Sequence, residues 1–343
     1  MKKIRVLVVD DSFVIRNVLE QSLNADPQLE VVATASDAYE ARDLIIKLRP
    51  DVMTLDIEMP RMNGLDFLRR LMPQYPMPVV VVSSLDDRVF DALEAGAVDF
   101  VHKPAGLTRS QLSEFMKQEL NEKVKVAFTV RVGARPRRAT SSPVDAKLTG
   151  SSDKDIVAIG ASTGGTEAIF DVVSKFNTDI PGVVIVQHMP PGFTAMYAER
   201  MNNQCKVAVK EAQNGDKVKQ GLVLLAPGDK QMRVIKERDG YHVECKFGEK
   251  VSGHCPSVNV LFNSVAVAAK DKAVGVILTG MGGDGAEGLM EMHRQGAVTI
   301  GQDEVTSAVY GMPKVAYEMG AVTYQVGLPV VASKIYSVLN NRH

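Results

Sequence analysis

The first 125 residues alternate short, uninterrupted apolar runs with longer amphipathic segments. Strands that lack polar alternation are buried on both faces, which is typical of a parallel sheet covered by helices. The pattern therefore predicts an α/β unit, a doubly wound (βα)5 domain. The predicted strands are 4–9, 31–35, 52–55, 79–82 and 100–102, and the predicted helices are 13–25, 38–48, 64–72, 88–95 and 108–126.

The pattern breaks after residue 126 and resumes near residue 154. Residues 127–153 lack an apolar period and contain Arg, Ser and Pro, so they predict a linker, whose basic cluster is either solvated or a docking segment. Residues 154–343 predict a second doubly wound α/β domain with a mainly parallel sheet. A hairpin at 232–246 suggests that this sheet is mixed. The other predicted strands are 155–160, 183–187, 222–226 and 274–279, and the predicted helices are 166–176, 195–202, 257–270 and 286–295.

Composition excludes several classes of protein. A net charge of −1 on 343 residues gives no electrostatic case for nucleic-acid binding. The chain has three cysteines and no CxxC pair, which argues against a disulfide framework or a zinc site. Two aspartates interrupt the apolar start too early for a signal peptide, and no run approaches the roughly 18 apolar residues of a membrane span. We expect a cytoplasmic protein with reduced cysteines, without membrane insertion.

Charged and hydroxyl side chains follow successive strands of the first domain. Asp10 and Asp11 follow the first strand, Asp56 the third, Ser83 the fourth and Lys103 the fifth. The carboxyl ends of parallel strands meet at one edge, so these side chains are expected to converge there. Clustered carboxylates suit Mg²⁺, and a metal, a lysine and a hydroxyl around Asp56 suit phosphoryl transfer to its carboxylate. Single acids at strand ends are more often solvated caps, but the complete set favours a phospho-acceptor site.

A second set follows the strands of the second domain. Ser162 lies in Gly-x-Ser-x-Gly between a strand and a helix, which is the context of a nucleophile elbow. On this turn alone, a phosphate or dinucleotide site and a simple helix N-cap remain alternatives. His188 follows the next strand and Asp284 a later one, where they can serve as a base and its orienting acid. The order Ser…His…Asp differs from the Ser…Asp…His order of the common α/β-hydrolases and predicts a different type of hydrolase. No acid lies about 20 residues after the glycines at the end of the next strand, where His188 lies instead, which weakens the dinucleotide reading.

These segments resemble two known families. VLVVDDS, TLDIEMPRMNGLDFL, VVVVSS and FVHKP resemble the response-regulator receiver domain. IGASTGG, QHMPPGFT, LAPG, HCPSVNVLF and TGMGGDGAEG, placed after a receiver and a linker, resemble the chemotaxis protein-glutamate methylesterases of the CheB family. The expected domains are a receiver at 1–126, a linker at 127–153 and a hydrolase-type methylesterase domain at 154–343.

The resemblance implies a role for each site residue. In the receiver, these are phosphorylation at Asp56, metal binding by Asp10, Asp11, Asp56 and the Ile57 carbonyl, a switch hydroxyl at Ser83, a phosphate contact at Lys103, and Phe100 as a mobile aromatic residue or plain core. The Lys103–Pro104 bond is a candidate cis peptide. In the hydrolase, Ser162 is implied as nucleophile, His188 as base and then acid, Asp284 as orienting acid, the Met281 N–H as an oxyanion donor, and Thr163 and Gly164 as lining of the same turn. The resemblance leaves the role of His254 open, because Cys255 follows it where the family commonly has a basic residue, and the local substrate contacts stay open with it.

The implied activity is phosphorylation-controlled hydrolysis of glutamate methyl esters, often with deamidation of glutamines, on methyl-accepting chemotaxis receptors. The implied phosphodonor is a chemotaxis histidine kinase, Mg²⁺ serves the receiver, and the esterase reaction needs no cofactor. The protein is expected to be a monomer, with the unphosphorylated receiver covering the hydrolase opening. Two other hypotheses remain: a non-catalytic regulator whose second domain binds a partner such as DNA, and a serine hydrolase that acts on another ester or amide.

Overall fold

The chain divides into two units, residues 1–135 and 136–343, each with its own parallel sheet. The computed structural model describes residues 2–84, 87–104, 106–130, 132, 148 and 155–342. Most of the expected linker at 127–153 lies outside the described residues, and the last helix of the first unit continues to Thr129. The expected domain boundaries therefore stay predictions. Within the described ranges, no helix is both long and apolar enough to cross a membrane.

The apolar runs of the first unit form five parallel strands joined by helices, which confirms the predicted (βα)5 fold. The strands are β1 (Ile4–Val9), β2 (Leu29–Ala35), β3 (Val52–Leu55), β4 (Val79–Ser83) and β5 (Asp99–His102), and the helices are α1 (Phe13–Asn24), α2 (Ala38–Leu48), α3 (Gly64–Leu71), α4 (Arg88–Glu94) and α5 (Arg109–Thr129). Their order across the sheet is β2-β1-β3-β4-β5. Strands β3 and β4 are buried along their whole length, as their mainly apolar sequences predicted.

Polar residues in the loops that follow three of the strands start three helices of this unit. Ser12, Asp37 and Asn63 are the N-cap residues of α1, α2 and α3, and each side chain accepts a hydrogen bond from a backbone N–H in the first turn. Such caps satisfy donors that the helix itself leaves unpaired. The chain therefore leaves the carboxyl edge of the sheet at fixed points, and this edge carries the acidic cluster described below.

The second unit contains two sheets. Its strands are β6 (Ile156–Ala161), β7 (Gly182–Gln187), β8 (Ala208–Glu211), β9 (Lys217–Val218), β10 (Leu222–Leu225), β11 (Lys230–Glu237), β12 (Gly240–Phe247), β13 (Ala273–Ile277), β14 (Val298–Gln302) and β15 (Tyr324–Val326). Its helices are α6 (Gly165–Val173), α7 (Phe193–Gln204), α8 (Val258–Ala269), α9 (Ala286–Arg294), α10 (Met312–Glu318) and α11 (Leu328–Asn340), and one turn of 3-10 helix lies at Lys270–Lys272.

The larger sheet has seven strands in the order β15-β14-β13-β6-β7-β10-β8, and every pair within it is parallel. The predicted hairpin, β11 with β12, instead forms a separate antiparallel sheet with β9. The expectation of one mixed sheet was therefore wrong, although the mainly parallel architecture with a hairpin is confirmed. Helix α8 packs against both β11 and the larger sheet, and its apolar side chains join the two sheets in one core.

Strand β6 lies at the topological switch point of the larger sheet. The chain continues to β7 on one side of β6, and β13 later pairs on its other side. In open α/β sheets, ligands bind beyond the carboxyl ends of the strands at this point. Ser162, His188 and Asp284 all follow one of these three strands.

One local prediction about the backbone was wrong. The cis peptide bond within the described residues is Cys255–Pro256, and the Lys103–Pro104 bond is not cis.

Candidate functional site

Ser162 lies on a tightly held turn directly after β6. Its N–H donates to the Thr279 carbonyl (3.0 Å), and its own carbonyl accepts from the Gly165 N–H (2.6 Å) and from Gln187 Nε2 (3.0 Å). Gly164 has a φ of +73°, in the left-handed region that glycine adopts without strain, and it is the N-cap residue of α6. Ser162 itself is only half-buried. The turn therefore fixes the Ser162 backbone while leaving the side chain accessible, as the elbow motif predicted.

The register of the sheet places His188 beside Ser162. Ala161 pairs with Gln187 across β6 and β7, and the His188 N–H donates to the Ala161 carbonyl (3.2 Å). Ser162 and His188 are thus the next residues on neighbouring strands, whose backbones lie about 4.8 Å apart in a sheet. A base at His188 is within reach of a nucleophile at Ser162.

Asp284 joins this pair through the first turn of α8. Its Oδ2 lies 2.8 Å from Nε2 of His188 and accepts from the Val258 N–H (2.7 Å). Its Oδ1 accepts from the Ser257 hydroxyl (2.8 Å) and the Asn259 N–H (3.1 Å). The carboxylate therefore occupies the N-terminal end of α8, where the helix dipole favours negative charge.

These contacts keep Asp284 ionised. Burial is the largest influence and raises the pKa of the carboxyl, but hydrogen bonds and charge from His188, together with donors at Ser257 and Val258, outweigh it. The net result is a pKa below the ordinary value of 3.8. A buried aspartate beside an imidazole is consequently a fixed negative charge at neutral pH, and an ionised carboxylate can only accept hydrogen bonds.

The tautomer of His188 follows from this pairing. Because Asp284 accepts from Nε2, that nitrogen carries the hydrogen, and the lone pair of the neutral ring lies on Nδ1. Nδ1 is buried and has no hydrogen-bond partner within the described residues, the Ser162 hydroxyl included. The basic nitrogen of His188 is therefore Nδ1, and Nε2 faces the aspartate. In the chymotrypsin-type triad the two nitrogens have the reverse roles.

The glycine-rich loop after β13 approaches Ser162 closely. A Cβ at Gly280 would lie 2.8 Å from Cβ of Ser162, so only glycine fits there. Met281 follows it, is 44% exposed, and its backbone N–H makes no hydrogen bond within the described ranges. The same holds for the Gly164 N–H. Thr163 is buried, and its carbonyl accepts from the Thr279 hydroxyl (3.0 Å). Two unpaired N–H groups therefore lie on the turns that flank Ser162, and the oxyanion roles stay predictions.

Sequence reasoning missed two features of this site. Ser257 directs its hydroxyl to Asp284 instead of capping α8; its position before an apolar helical run signalled a helix start but not this contact. His254 stacks on His188, with ring centroids 3.6 Å apart and planes inclined by 11°. Nothing in the sequence placed these two histidines together.

In the first unit, the predicted acidic cluster lies at the carboxyl edge of the sheet. Lys103 Nζ lies 2.6 Å from Oδ2 of Asp10 and 2.7 Å from Oδ2 of Asp56, and all three side chains are largely buried. Asp11 is exposed beside them. The Ser83 hydroxyl is buried and has no hydrogen-bond partner among the described residues. Phe100 is also buried, in agreement with a core position in this conformation.

Burial and the neighbouring charges both shift pKa values in this cluster. Burial raises the pKa of Asp10 above its ordinary value, the nearby Asp56 raises it further, and Lys103 opposes both without overcoming them. The pKa of Lys103 is raised despite burial, because Asp10 and Asp56 stabilise its charge. A cluster with more carboxylates than cations favours additional positive charge.

The donor set fits a hard divalent cation. Ligand oxygens of Asp10, Asp11 and Asp56 all lie within 4.8 Å of one another. The Ile57 carbonyl accepts from the N–H groups of Met59 (3.2 Å) and Gly64 (2.9 Å), and its role as a ligand stays a prediction. The next carbonyl, that of Glu58, accepts no hydrogen bond within the described residues and is the better candidate ligand. Carboxylate and carbonyl oxygens are the ligands that Mg²⁺ prefers.

Comparison with known proteins agrees with both halves. Residues 6–115 match the response regulator receiver domain, and residues 157–335 match the CheB methylesterase model. A "protein-glutamate methylesterase/protein-glutamine glutaminase 2" of Syntrophomonas wolfei is 56% identical over 343 residues, covering 99% of each chain. A similarly named protein of Salmonella typhimurium is 47% identical over 345 residues, covering 99% of this chain and 98% of the other. The crystal structure of the Thermotoga maritima CheB methylesterase catalytic domain aligns with a TM-score of 0.53 at 34% identity, covering 54% of this chain and 98% of that one.

Fold and site thus define a response regulator whose output domain is a hydrolase, with an acidic cluster around Lys103 in one unit and a Ser, His and Asp constellation in the other. More specifically, the chain belongs to the CheB methylesterase family.

Proposed function

We propose that this chain hydrolyses glutamate methyl esters on methyl-accepting chemotaxis receptors, under the control of phosphorylation at Asp56. The observation that carries the proposal is the His188–Asp284 hydrogen bond of 2.8 Å beside Ser162, at the switch point of the sheet. The names of the full-length relatives support the substrate. The alternatives of a DNA-binding regulator or a phosphate-binding turn explain neither this pair nor the helix end that holds it.

The reaction proceeds through an acyl-enzyme. Ser162 Oγ attacks the ester carbonyl as its proton passes to Nδ1 of His188, and the imidazolium is stabilised by Asp284. The N–H groups of Met281 and Gly164 are the candidate donors to the oxyanion. His188 then returns the proton to the departing methoxide, which leaves as methanol. Water attacks the acyl-enzyme, again with proton transfer to Nδ1, and the glutamate side chain and free Ser162 are restored.

The same site is suited to deamidation of glutamine side chains. In that reaction His188 gives its proton to the departing amine, ammonia leaves instead of methanol, and the same glutamyl enzyme is hydrolysed. The double names of the relatives support this second activity.

The receiver controls the hydrolase through Asp56. A chemotaxis histidine kinase is the proposed phosphodonor, and Mg²⁺ held by Asp10, Asp11, Asp56 and the Glu58 carbonyl would neutralise charge on the transferred phosphoryl group. Lys103 and Ser83 are proposed to contact its oxygens afterwards, because Lys103 Nζ lies 2.7 Å from Asp56 and the buried Ser83 hydroxyl has no hydrogen-bond partner among the described residues. The unphosphorylated receiver is proposed to restrict access to the hydrolase, so that phosphorylation shifts the population towards an open state. The protein is proposed to act as a monomer in the cytoplasm, where the modified receptor helices lie.

Methanol release from methylated chemoreceptor membranes tests the proposal, with and without a small phosphodonor plus Mg²⁺. Wild type, Ser162→Ala and Asp56→Ala are compared. We expect release that depends on Ser162 and that rises with the phosphodonor only when Asp56 is present. A chain lacking residues 1–150 should show a higher basal rate than the unphosphorylated full chain.

Each outcome has a separate meaning. A folded wild type that releases no methanol would contradict the receptor substrate and favour a hydrolase of other esters or amides. Activity that survives Ser162→Ala would contradict the nucleophile. A folded fragment with unchanged or lower basal activity would contradict inhibition by the receiver.

A further inference from the structure

The hydrogen bond to Asp284 does not by itself fix the catalytic imidazole. It anchors the ring at one atom, Nε2, while rotation about the Cβ–Cγ bond can still change the plane of the ring. General-base catalysis needs the lone pair of Nδ1, which lies in the ring plane, to point at the serine hydroxyl. A second constraint on the plane of the ring is therefore required, and none of the catalytic residues described above supplies it.

His254 supplies a flat surface against this ring. The two imidazoles are stacked with centroids 3.6 Å apart and planes inclined by only 11°. Ring N–H groups lie in the plane of the ring, so in this arrangement neither histidine can hydrogen-bond the other. The contact is one of faces, and it is of the kind that fixes orientation instead of passing a proton.

The backbone of His254 is itself firmly held. Its N–H donates to the Val251 carbonyl (3.0 Å), and its carbonyl accepts from the Val251 N–H (2.9 Å) and from Gln231 Nε2 (3.2 Å). The buried amide of Gln231, on β11, also accepts from the Ser257 N–H (2.9 Å) at the start of α8. One side chain of the small sheet thus supports both the loop that carries His254 and the helix end that holds Asp284.

We propose that His254 is a positioning residue for the esterase reaction: its imidazole face fixes the plane of the His188 ring, so that Nδ1 is directed at Ser162. This inference rests on the proposed roles of Ser162 and His188 and adds a residue to which the sequence assigned none.

The test separates the flat face from the chemistry of the imidazole. His254→Phe keeps a flat ring without nitrogens, and His254→Leu has a comparable bulk without a flat face. We measure kcat and KM for methanol release from methylated receptor membranes with the full-length, phosphodonor-treated protein. We expect kcat to fall about tenfold in the Leu variant with KM within about twofold of wild type, and the Phe variant to keep kcat within about threefold.

The matched control is His242→Leu. His242 lies on β12 and contacts the Gly215 carbonyl and Asp239, so the same substitution should leave kcat unchanged. Thermal unfolding of every variant checks that it is folded. If the Leu variant does not fold, His254→Asn takes its place, with the same expected loss of kcat.

Three results would overturn the inference. A Phe variant as inactive as the Leu variant would show that the imidazole nitrogens matter and not the face. A raised KM with unchanged kcat would show a substrate contact. Wild-type kcat in both variants would show that the stacking is dispensable. Failure of the proposed function is distinguishable from all three, because the wild type would then release no methanol or Ser162→Ala would remain active.

Discussion

Replacing Asp284 with asparagine changes one atom of a carboxylate that accepts four hydrogen bonds. The donors are His188 Nε2 and the Val258 N–H on Oδ2, and the Ser257 hydroxyl and the Asn259 N–H on Oδ1. An amide offers one accepting oxygen, so whichever way it is turned, one backbone N–H at the start of α8 faces an NH₂ group. If the NH₂ group replaces Oδ2, His188 must accept at Nε2, and its hydrogen then moves to Nδ1.

The expected magnitudes follow from these contacts. A hydrogen bond to a charged group contributes about 1.5–3 kcal/mol, so losing the charge that stabilises the imidazolium lowers kcat by roughly 10–150-fold. The misplaced hydrogen on Nδ1 adds to this loss, because that tautomer has no basic lone pair for Ser162. The unpaired backbone N–H of α8 costs about 1–3 kcal/mol of folding free energy. We therefore expect a catalytic domain that is folded, less stable and at least about 100-fold slower.

The assay is methanol release from methylated receptor membranes, with thermal unfolding measured in parallel. The matched control is Asp216→Asn, which loses contacts to the Gln213 N–H and Lys210 on a loop that makes no hydrogen bond to His188, and it should keep wild-type kcat. A folded Asp284→Asn variant with kcat within threefold of wild type would refute the reasoning, since neither the charge nor the tautomer would then matter.

Three further predictions concern the same two sites. Gly280→Ala should lower kcat at least about tenfold in the methanol-release assay, because the new Cβ would lie 2.8 Å from Cβ of Ser162 and 2.3 Å from the Met312 sulfur; an unchanged kcat would contradict the close packing. Asp10→Asn should raise the unfolding free energy of the receiver at pH 7 by about 1 kcal/mol, because the raised pKa of Asp10 means that its ionised form is disfavoured in the folded state; a destabilised variant in denaturant titrations would contradict this. The same variant should no longer be phosphorylated by a small phosphodonor, because it lacks one carboxylate of the proposed Mg²⁺ site. The stability that Asp284 contributes should be present at neutral pH and lost as pH falls below 3.8, because its folded pKa is lowered; a gap between wild type and Asp284→Asn that stays constant down to acidic pH would contradict it.

The fold of the receiver was largely predictable because its strands and helix starts are marked by short segments of sequence. Unbroken apolar runs identified each strand, and polar residues such as Ser12 and Asp37 identified the helix starts. The parallel topology then brings Asp10, Asp56 and Lys103 to one edge, where their side chains lie in contact, as the sequence argument predicts. The hydrogen bonding of the backbone carbonyls near Asp56 was not predictable in this way, because it depends on how the loop after β3 folds back. That loop engages the Ile57 carbonyl with two N–H groups.

The second domain was less predictable because several of its strands are short or half-polar. Strands β8, β9 and β15 have two to four residues, and polar residues occupy part of each, so periodicity gives little signal. The hairpin was located from its turn, but its partner β9 is a two-residue strand that no pattern could identify. Because β9 was not predicted, the hairpin was assigned to the main sheet instead of to a separate sheet.

That separate sheet explains why sequence reasoning found three site residues and missed their supports. Ser162, His188 and Asp284 each follow a strand around the switch point, so topology alone predicts that they converge. Ser257 and His254 come from the segment between the small sheet and α8, and Gln231 on β11 connects both of their backbones. A catalytic constellation at strand ends can be read from chain order, whereas the residues that orient it depend on tertiary contacts between sheets. Substitution of Gln231 is accordingly expected to affect the rate through His188 and Asp284, without any contact to the ester.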